Sequence, residues 1–403
     1  MQNETRKKRS QRLGVIGGGQ LGMYLCDAAR DLDVYTTVLM SNAMESAAYT
    51  ADACIVASFD DRSAIKQLID ESDVITFELE AVPEGTLKQL QEAVEAGAVR
   101  VNPGLDTLRL LQDKGLQKNW LVQQLLPTLP FVQATLGEKF LCERYPSLEL
   151  PLVQKCCRGG YDGKGVQMIR SADDLRSVWP VDSIFEPLLR DRIEVSVIVA
   201  RSVDGSMATY PAVSMEFDDR FNAVATVTSP AAVSLELQRS CEALANRAIA
   251  SLEGVGVFAI EFFIAADDTI YFNEISPRVH NSGHLTMGGF IASQFEQHVR
   301  AIMGFPLSPI EKERESAVMR NILYDEMWGD RCPPKPCNRP VKQSLLSQVY
   351  WYGKSEGQAG RKMGHITTLG NSVATAYAES TKALASLREQ PKEHNMHVQQ
   401  HEA

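Results

Sequence analysis

Apolar and polar positions change their spacing several times along this chain. The short apolar run Leu13–Ile16 passes through Gly17-Gly18-Gly19 into apolar residues spaced as on a helix. Apolar stretches near 34–39, 53–56 and 73–77 then alternate with helical patterns near 60–70 and 84–96. The series ends near Val101-Asn102-Pro103. Such alternation predicts a parallel sheet with flanking helices. A helical region follows over Leu105–Leu126, then P-T-L-P, then the strand-like L-P-L-V-Q-K-C-C and the loop R-G-G-Y-D-G-K-G. Residues 181–300 read as an antiparallel sheet carrying helices, and strand-like pieces recur near 317–323 and 348–352. The expected divisions are a disordered basic leader over 1–12, a parallel-sheet domain over 13–107 and a central α+β domain over 108–310. A flap subdomain lies at about 127–183 of the central domain. A small β-rich C-terminal domain over 311–390 and a polar, disordered tail over 391–403 complete the chain.

The segment G-V-F-A-I-E-F-F-I-A-A-D-D-T-I-Y-F-N-E-I-S-P-R reads as a β-hairpin. With Asp267-Asp268 as a two-residue turn, Ala266 pairs with Thr269, and counting outward puts Glu261 opposite Glu274 on one face. Asp-Asp is a poor hairpin turn, so a register one residue away is the competing reading. Directly opposed side chains have Cβ atoms roughly 4.5–5.5 Å apart, and two carboxylates that close need a proton or a cation between them. Among neighbours such as Phe263 and Phe272, a hard cation with oxygen ligands, Mg²⁺ or Mn²⁺, is the expected resident.

Composition narrows the class. The chain has 403 residues, enough for two or three packed units, with 44% apolar and 23% charged residues, as in ordinary globular proteins. Its formal net charge of −10 argues against a general nucleic-acid binder. No apolar run approaches the ~20 residues of a membrane span, so neither nucleic acid nor membrane is an expected partner. The eight cysteines show no zinc spacing, Cys332 and Cys337 coming nearest, and the scatter suits a reducing cytoplasm.

Other motifs carry candidate chemistry. G-G-G-Q-L-G at 17–22 resembles a dinucleotide fingerprint, but the second strand region, V-Y-T-T-V-L-M-S-N, lacks the acid that would hold ribose. A tight strand-to-helix turn and a phosphate or ribose site both remain open there. Glu78 and Glu80 follow an apolar strand at the usual ligand edge of a parallel sheet. Lys155 ends a strand beside the glycine-rich Arg158–Gly165, an arrangement that suits a triphosphate without being a Walker A loop. Ile184–Leu189 reads as a strand, the acid Glu186 and a bend at Pro187, where exposed backbone could read the adenine edge, while Glu194 could take ribose hydroxyls. Arg278, His280, Asn281 and His284 crowd the segment after Glu274, where Arg278 could neutralise a transferring phosphoryl group. Lys354, Arg361 and Lys362 flank a glycine-containing turn, where a ribose 5-phosphate site and a solvated charge run are equal readings.

Taken together, these motifs resemble the ATP-grasp superfamily and, within it, the 5-(carboxyamino)imidazole ribonucleotide synthases of purine biosynthesis. The matching pieces run in family order from about residue 13 to 370: G-G-G-Q-L-G, T-F-E-L-E, Q-D-K-G-L-Q-K, K-C-C-R-G-G-Y-D-G-K-G, F-A-I-E-F-F, N-E-I-S-P-R-V-H-N-S-G-H, S-Q-F-E-Q-H-V-R-A-I and G-K-S-E-G-Q-A-G-R-K-M-G-H. The resemblance implies a Rossmann-like pre-ATP-grasp domain, ATP-grasp subdomains and a β-rich C-terminal domain. It implies ATP contacts at Lys114, Lys155, Gly160, Gly163, Lys164, Gly165, Glu186, Leu189 and Glu194, with the cation on Glu261 and Glu274. Aminoimidazole ribonucleotide would meet Gln20, Leu21, Glu78, Lys354, Arg361 and Lys362, with Tyr161, Asp162, Arg278, His280 and Asn281 as the catalytic group. Bicarbonate would attack the γ-phosphate, and the carboxyphosphate formed, or CO₂ from it, would carboxylate the exocyclic amine. A homodimer in the cytoplasm is implied as well.

The chain departs from the family pattern at Leu285, where an aromatic residue is usual, in the Cys- and Pro-rich Cys332–Pro340, and after Glu80, where a His is often found. The competing readings are a formate-dependent glycinamide ribonucleotide transformylase or another amine-carboxylating ATP-grasp ligase, a nucleotide-binding scaffold, and a dinucleotide oxidoreductase.

Overall fold

The computed structural model describes residues 10–134, 149–160, 165–325, 341–354 and 357–389. Tyr161, Asp162, Gly163, Lys164, Cys332 and Cys337 lie outside the described residues.

The first sheet is parallel, with β1 (Arg12–Ile16), β2 (Tyr35–Met40), β3 (Ala53–Val56), β4 (Val74–Phe77) and β5 (Arg100–Val101) in the order β3-β2-β1-β4-β5. The helices α1 (Gln20–Asp31), α2 (Arg62–Asp70) and α3 (Glu84–Glu95) form the crossovers. β2 and β4 are buried along their whole length, which is why they carry no charged residue, their threonines Thr36, Thr37 and Thr76 being buried too. The helical region at 105–126 divides into α4 (Leu105–Leu111) and α5 (Lys114–Gln123). Asp113 causes the break: its carboxylate accepts from the Gly115 and Leu116 N–H groups and caps α5.

A small antiparallel sheet follows, with β6 (Val132–Ala134), β7 (Leu152–Cys156), β8 (Val166–Ile169) and β9 (Ser183–Pro187) in the order β6-β9-β7-β8. The large sheet comprises β10 (Ile193–Arg201), β11 (Met207–Thr209), β12 (Val213–Asp218), β13 (Ala223–Ser229), β14 (Gly256–Ile264), β15 (Ile270–Ser276), β16 (Ser316–Leu323), β17 (Val341–Lys342), β18 (Ser347–Trp351) and β19 (Lys362–Gly370). Its order is β15-β14-β10-β12-β13-β16-β19-β18-β17, with β11 on β10. The C-terminal strands are therefore not a separate sheet. They continue the central one through the β13–β16 pairing of Thr226–Ser229 with Ala317–Arg320. α6 (Leu235–Leu252), α7 (Gln294–Met303) and α8 (Val373–Glu389) pack on this sheet.

The parts share a core. Leu21, Tyr24 and Leu25 of α1 belong to one buried cluster with Phe295, Val299 and Ile302 of α7 and with Tyr350 and Tyr352. His298 of α7 crosses the same junction: one ring nitrogen meets Thr76 Oγ1 of β4 at 2.8 Å and the other accepts from the Val257 N–H of β14 at 3.0 Å. Three regions distant in sequence are thus held rigidly around one cleft.

The Glu261–Glu274 hairpin corrects the simple count. The Ala265 N–H donates to the Thr269 carbonyl, so the turn spans Ala266, Asp267 and Asp268, with Asp268 left-handed at φ 64°. Phe262 then pairs with Phe272, which would set Glu261 opposite Asn273 and turn Glu274 to the other face. A bulge that leaves Asn273 unpaired restores the register, and Glu261 does face Glu274.

Candidate active site

A cavity of about 730 Å³ opens where the three regions meet. Gln20, Leu21, Glu78 and Glu80 enter it from the first domain. Lys114, Gly160, Glu261, Glu274, Arg278, His280 and Asn281 enter from the central domain, and Lys362 from the C-terminal strands.

Glu261 and Glu274 form its floor. Burial, then the charges of Glu274 and Glu194, push Glu261 up to about 7. Burial acts the same way on Glu274, but the Lys114 ammonium, 2.5 Å from its Oε2, outweighs it and holds this carboxyl low. Two buried acids driven apart in this way form a site that a divalent cation would relieve. Among the described residues no cluster of three or more His, Cys, Asp or Glu is positioned as a metal set. A cation here would therefore draw its remaining oxygens from phosphate and water, as Mg²⁺ commonly does.

The bulge at Asn273 delivers a further polar group. Its Oδ1 accepts from Lys155 Nζ at 2.8 Å and its Nδ2 donates to Glu261 Oε2 at 3.3 Å. Lys155 also meets Glu186 Oε2 at 2.6 Å, while Lys118 holds the other oxygen of Glu186. Glu186 is 1% exposed, so its carboxylate faces lysines rather than the cavity. Glu194 is bonded to Arg192 at 2.7 Å, and Arg192 also donates to the Leu189 carbonyl at 3.1 Å. Gly165 lies at φ 94°, and a Cβ there would come within 2.9 Å of Gly160 Cα, so the two ends of the flap loop close on each other through glycine.

Arg278 is held by a bidentate pair with Glu80, Nη2 to Oε1 at 3.1 Å, and this pairing outweighs burial to hold Glu80 down to about 2. The Ser282 N–H donates to His280 Nδ1 at 3.3 Å, which leaves the ring proton on Nε2, 3.6 Å from Glu261 Oε1. Ser282 Oγ adds a 2.9 Å contact to the same nitrogen and meets Ser196 Oγ at 2.8 Å. Asn281 exchanges two hydrogen bonds with Asn321 of β16, at 3.0 and 2.7 Å, which ties the segment after Glu274 to the C-terminal strands.

At the other end, the Gly19 N–H donates to Glu78 Oε2 at 2.6 Å. The helix N-terminus that could take a phosphate is thus occupied by a carboxylate, and the glycines serve its close approach. Lys354 Nζ donates to the Lys362 carbonyl at 2.9 Å and lies 5.4 Å from the Tyr352 ring centre. Lys362 is buried and reaches the cavity, whereas Arg361 is exposed beside it.

Three family models match consecutive stretches: a ribonucleotide synthetase preATP-grasp domain over residues 10–112, an ATP-grasp domain over 119–295 and a phosphoribosylaminoimidazole carboxylase C-terminal domain over 317–379. N5-carboxyaminoimidazole ribonucleotide synthase of Brucella melitensis is 35% identical over 373 residues, which is 91% of this chain and 98% of the relative. The chain belongs to the N5-carboxyaminoimidazole ribonucleotide synthase family. The synthase of Synechococcus elongatus is also 35% identical, over 93% of each chain. A structure of the synthetase in its ADP complex superposes with a TM-score of 0.84 at 33% identity, covering 94% of this chain and 98% of that one. The synthase of Aspergillus clavatus, solved with ADP and 5-aminoimidazole ribonucleotide, gives 0.80 at 28% identity over 94% and 99%.

The sequence reading missed Asn273, Lys118, Glu80 as the partner of Arg278, and Asn321. Lys118 carried a usable signal, lying four residues after Lys114 on one helix face. Asn273 carried none, because an alternating strand would point it away.

Proposed function

We infer that the protein carboxylates the exocyclic amine of 5-aminoimidazole ribonucleotide with ATP and bicarbonate, giving 5-(carboxyamino)imidazole ribonucleotide, ADP and phosphate. One observation carries the reading. A single cavity joins the Glu261–Glu274–Lys114 end, suited to a nucleotide triphosphate, to a Gln20–Glu78–Lys362 end suited to a polar phosphorylated acceptor.

Bicarbonate oxygen bonds to the γ-phosphorus as the bond to the ADP oxygen breaks. The acceptor nitrogen then bonds to the carboxyl carbon, directly or through released CO₂, with loss of phosphate and of the amine proton. Lys114 and Lys155 take phosphate charge, and Arg278, aimed by Glu80, offsets charge on the group in transfer. His280 presents an N–H toward the anionic centre, held by Ser282. Glu261 and Glu274 would hold a Mg²⁺ or Mn²⁺ ion, which would neutralise phosphate charge. A dry, cation-rich pocket would protect the short-lived acyl phosphate from water. Gly163, Lys164, Tyr161 and Asp162 belong to the glycine-rich flap in this reading, and Lys354 and Arg361 join Lys362 around the ribose 5-phosphate. A homodimer in the cytoplasm completes the proposal. No helix among the described residues is long and apolar enough to cross a membrane.

ADP release with Mg·ATP and bicarbonate, with and without aminoimidazole ribonucleotide, tests it. Strong stimulation by the ribonucleotide and a bicarbonate-dependent product are expected. ATP binding without stimulation would move the acceptor to another amine.

A further inference from the structure

We propose that Lys118 sets the charge of the nucleotide site: it compensates Glu186, so that Lys155 keeps a positive charge to spend on the phosphates of ATP. The proposal rests on the functional reading above only for the identity of the nucleotide.

Lys118 lies one helical turn beyond Lys114 on α5 and is 2% exposed. Its ammonium meets three acceptors, the Glu186 carboxylate, Thr128 Oγ1 at 2.6 Å and the Phe272 carbonyl at 3.3 Å. The ion pair and the two hydrogen bonds hold the ammonium away from the cavity, which Lys118 does not line. Lys118 is thus a positioning residue. From Glu186 the chain of contacts continues through Lys155 and Asn273 to Glu261. The Phe272 carbonyl that Lys118 grips belongs to the residue just before the bulge, so one side chain anchors both the acid behind Lys155 and the strand that carries Asn273.

The charges decide the role. Lys118, Glu186 and Lys155 together carry two cations and one anion, hence one net positive charge. Without Lys118, Glu186 and Lys155 cancel, and a neutral pair pulls far less on a phosphate in a low-dielectric site. A phosphate that drew Lys155 away would also leave Glu186 as an uncompensated buried carboxylate. With Lys118 present, Glu186 keeps a cation whichever way Lys155 turns. Burial pulls Lys118 down to about 8 against the opposing pull of Glu186, so it still holds its proton at neutral pH.

The test uses the full chain with Lys118→Met and with Lys118→Met/Glu186→Gln. It reads ADP affinity by calorimetry and the KM values of ATP and of aminoimidazole ribonucleotide. Lys118→Met is expected to weaken ADP binding and raise the ATP KM by at least about tenfold, with much less change in the ribonucleotide KM. The double variant is expected to recover most of that loss, because removing the acid removes the need for its cation. A merely structural lysine predicts the opposite, since the second substitution removes one more buried contact. Unchanged ADP affinity in a folded Lys118→Met protein, or no recovery in the double variant, overturns the proposal. Should Lys118→Met alone fail to melt cooperatively, the double variant decides: ADP affinity within about tenfold of wild type is expected, and its loss refutes the idea. A wild-type protein that binds ADP but ignores aminoimidazole ribonucleotide would sink the acceptor assignment and leave this inference standing.

Discussion

Glu261 and Glu274 face each other only because two irregularities cancel. A three-residue turn shifts the hairpin by one position, and the bulge at Asn273 shifts it back. The same bulge turns the Asn273 amide inward, where it joins Lys155 to Glu261. The paired carboxylates and the amide beside them are thus one local device.

Replacing Glu274 by Gln should lower turnover by at least about a hundredfold, the scale of removing one preorganised charge from a phosphoryl-transfer site. It also leaves Lys114 without its closest partner. Steady-state ADP release measures the effect, and near-normal activity in a folded variant would refute the cation role.

Glu80→Gln should uncouple Arg278 from the first domain. The pair is bidentate and charge-assisted, and each side comes from a different domain. A fall in kcat of about tenfold to a hundredfold is expected, with circular dichroism unchanged. Because Arg278 holds Glu80 down to about 2, the pair's stabilisation is present above the usual carboxylate range near 4.5 and is lost as pH falls toward 2.

His298 should make the domain junction acid-sensitive. Burial pulls it down to about 3, and its Nδ1 must stay unprotonated to accept the Val257 N–H. Its folded pKa lies below the unfolded value near 6.5, so its contribution is present above pH 6.5 and is lost as pH falls below that. Relative to pH 7.5, the loss at pH 5 is about 2 kcal/mol. In urea unfolding at the two pH values, the drop in wild type should exceed that in His298→Gln by about this amount.

Gly19→Ala and Gly85→Ala should part company. A Cβ on Gly19 would lie 2.2 Å from Glu78 Oε1, whereas one on Gly85 meets nothing within 4 Å. The first should cost about 1–3 kcal/mol and weaken acceptor binding. The second, at an open helical position, should stabilise by up to about 1 kcal/mol. Thermal melts and the acceptor KM distinguish them.

Much of the fold was legible because its signals are local. The strands at 35–40 and 74–77 are buried on both faces and so carry no charged residue, and Asp113 marks the start of α5 by its own capping chemistry. The continuous large sheet was not legible. Pairing Thr226 with Arg320 joins residues far apart in sequence, and nothing in either strand names its partner.

The sequence by itself determined the chemical inventory: two acids on one hairpin, lysines near a glycine flap, and a dense Arg-His-Asn segment after Glu274. Side-chain type and spacing along one element suffice for that. Tertiary structure alone decided what each group does. Glu186 became a counter-ion between two lysines, Glu78 took the helix N-terminus at Gly19, and Asn281 was paired with Asn321. These roles depend on which buried charge or amide meets which across elements. That is settled by packing and desolvation in the folded chain, and no local pattern encodes it.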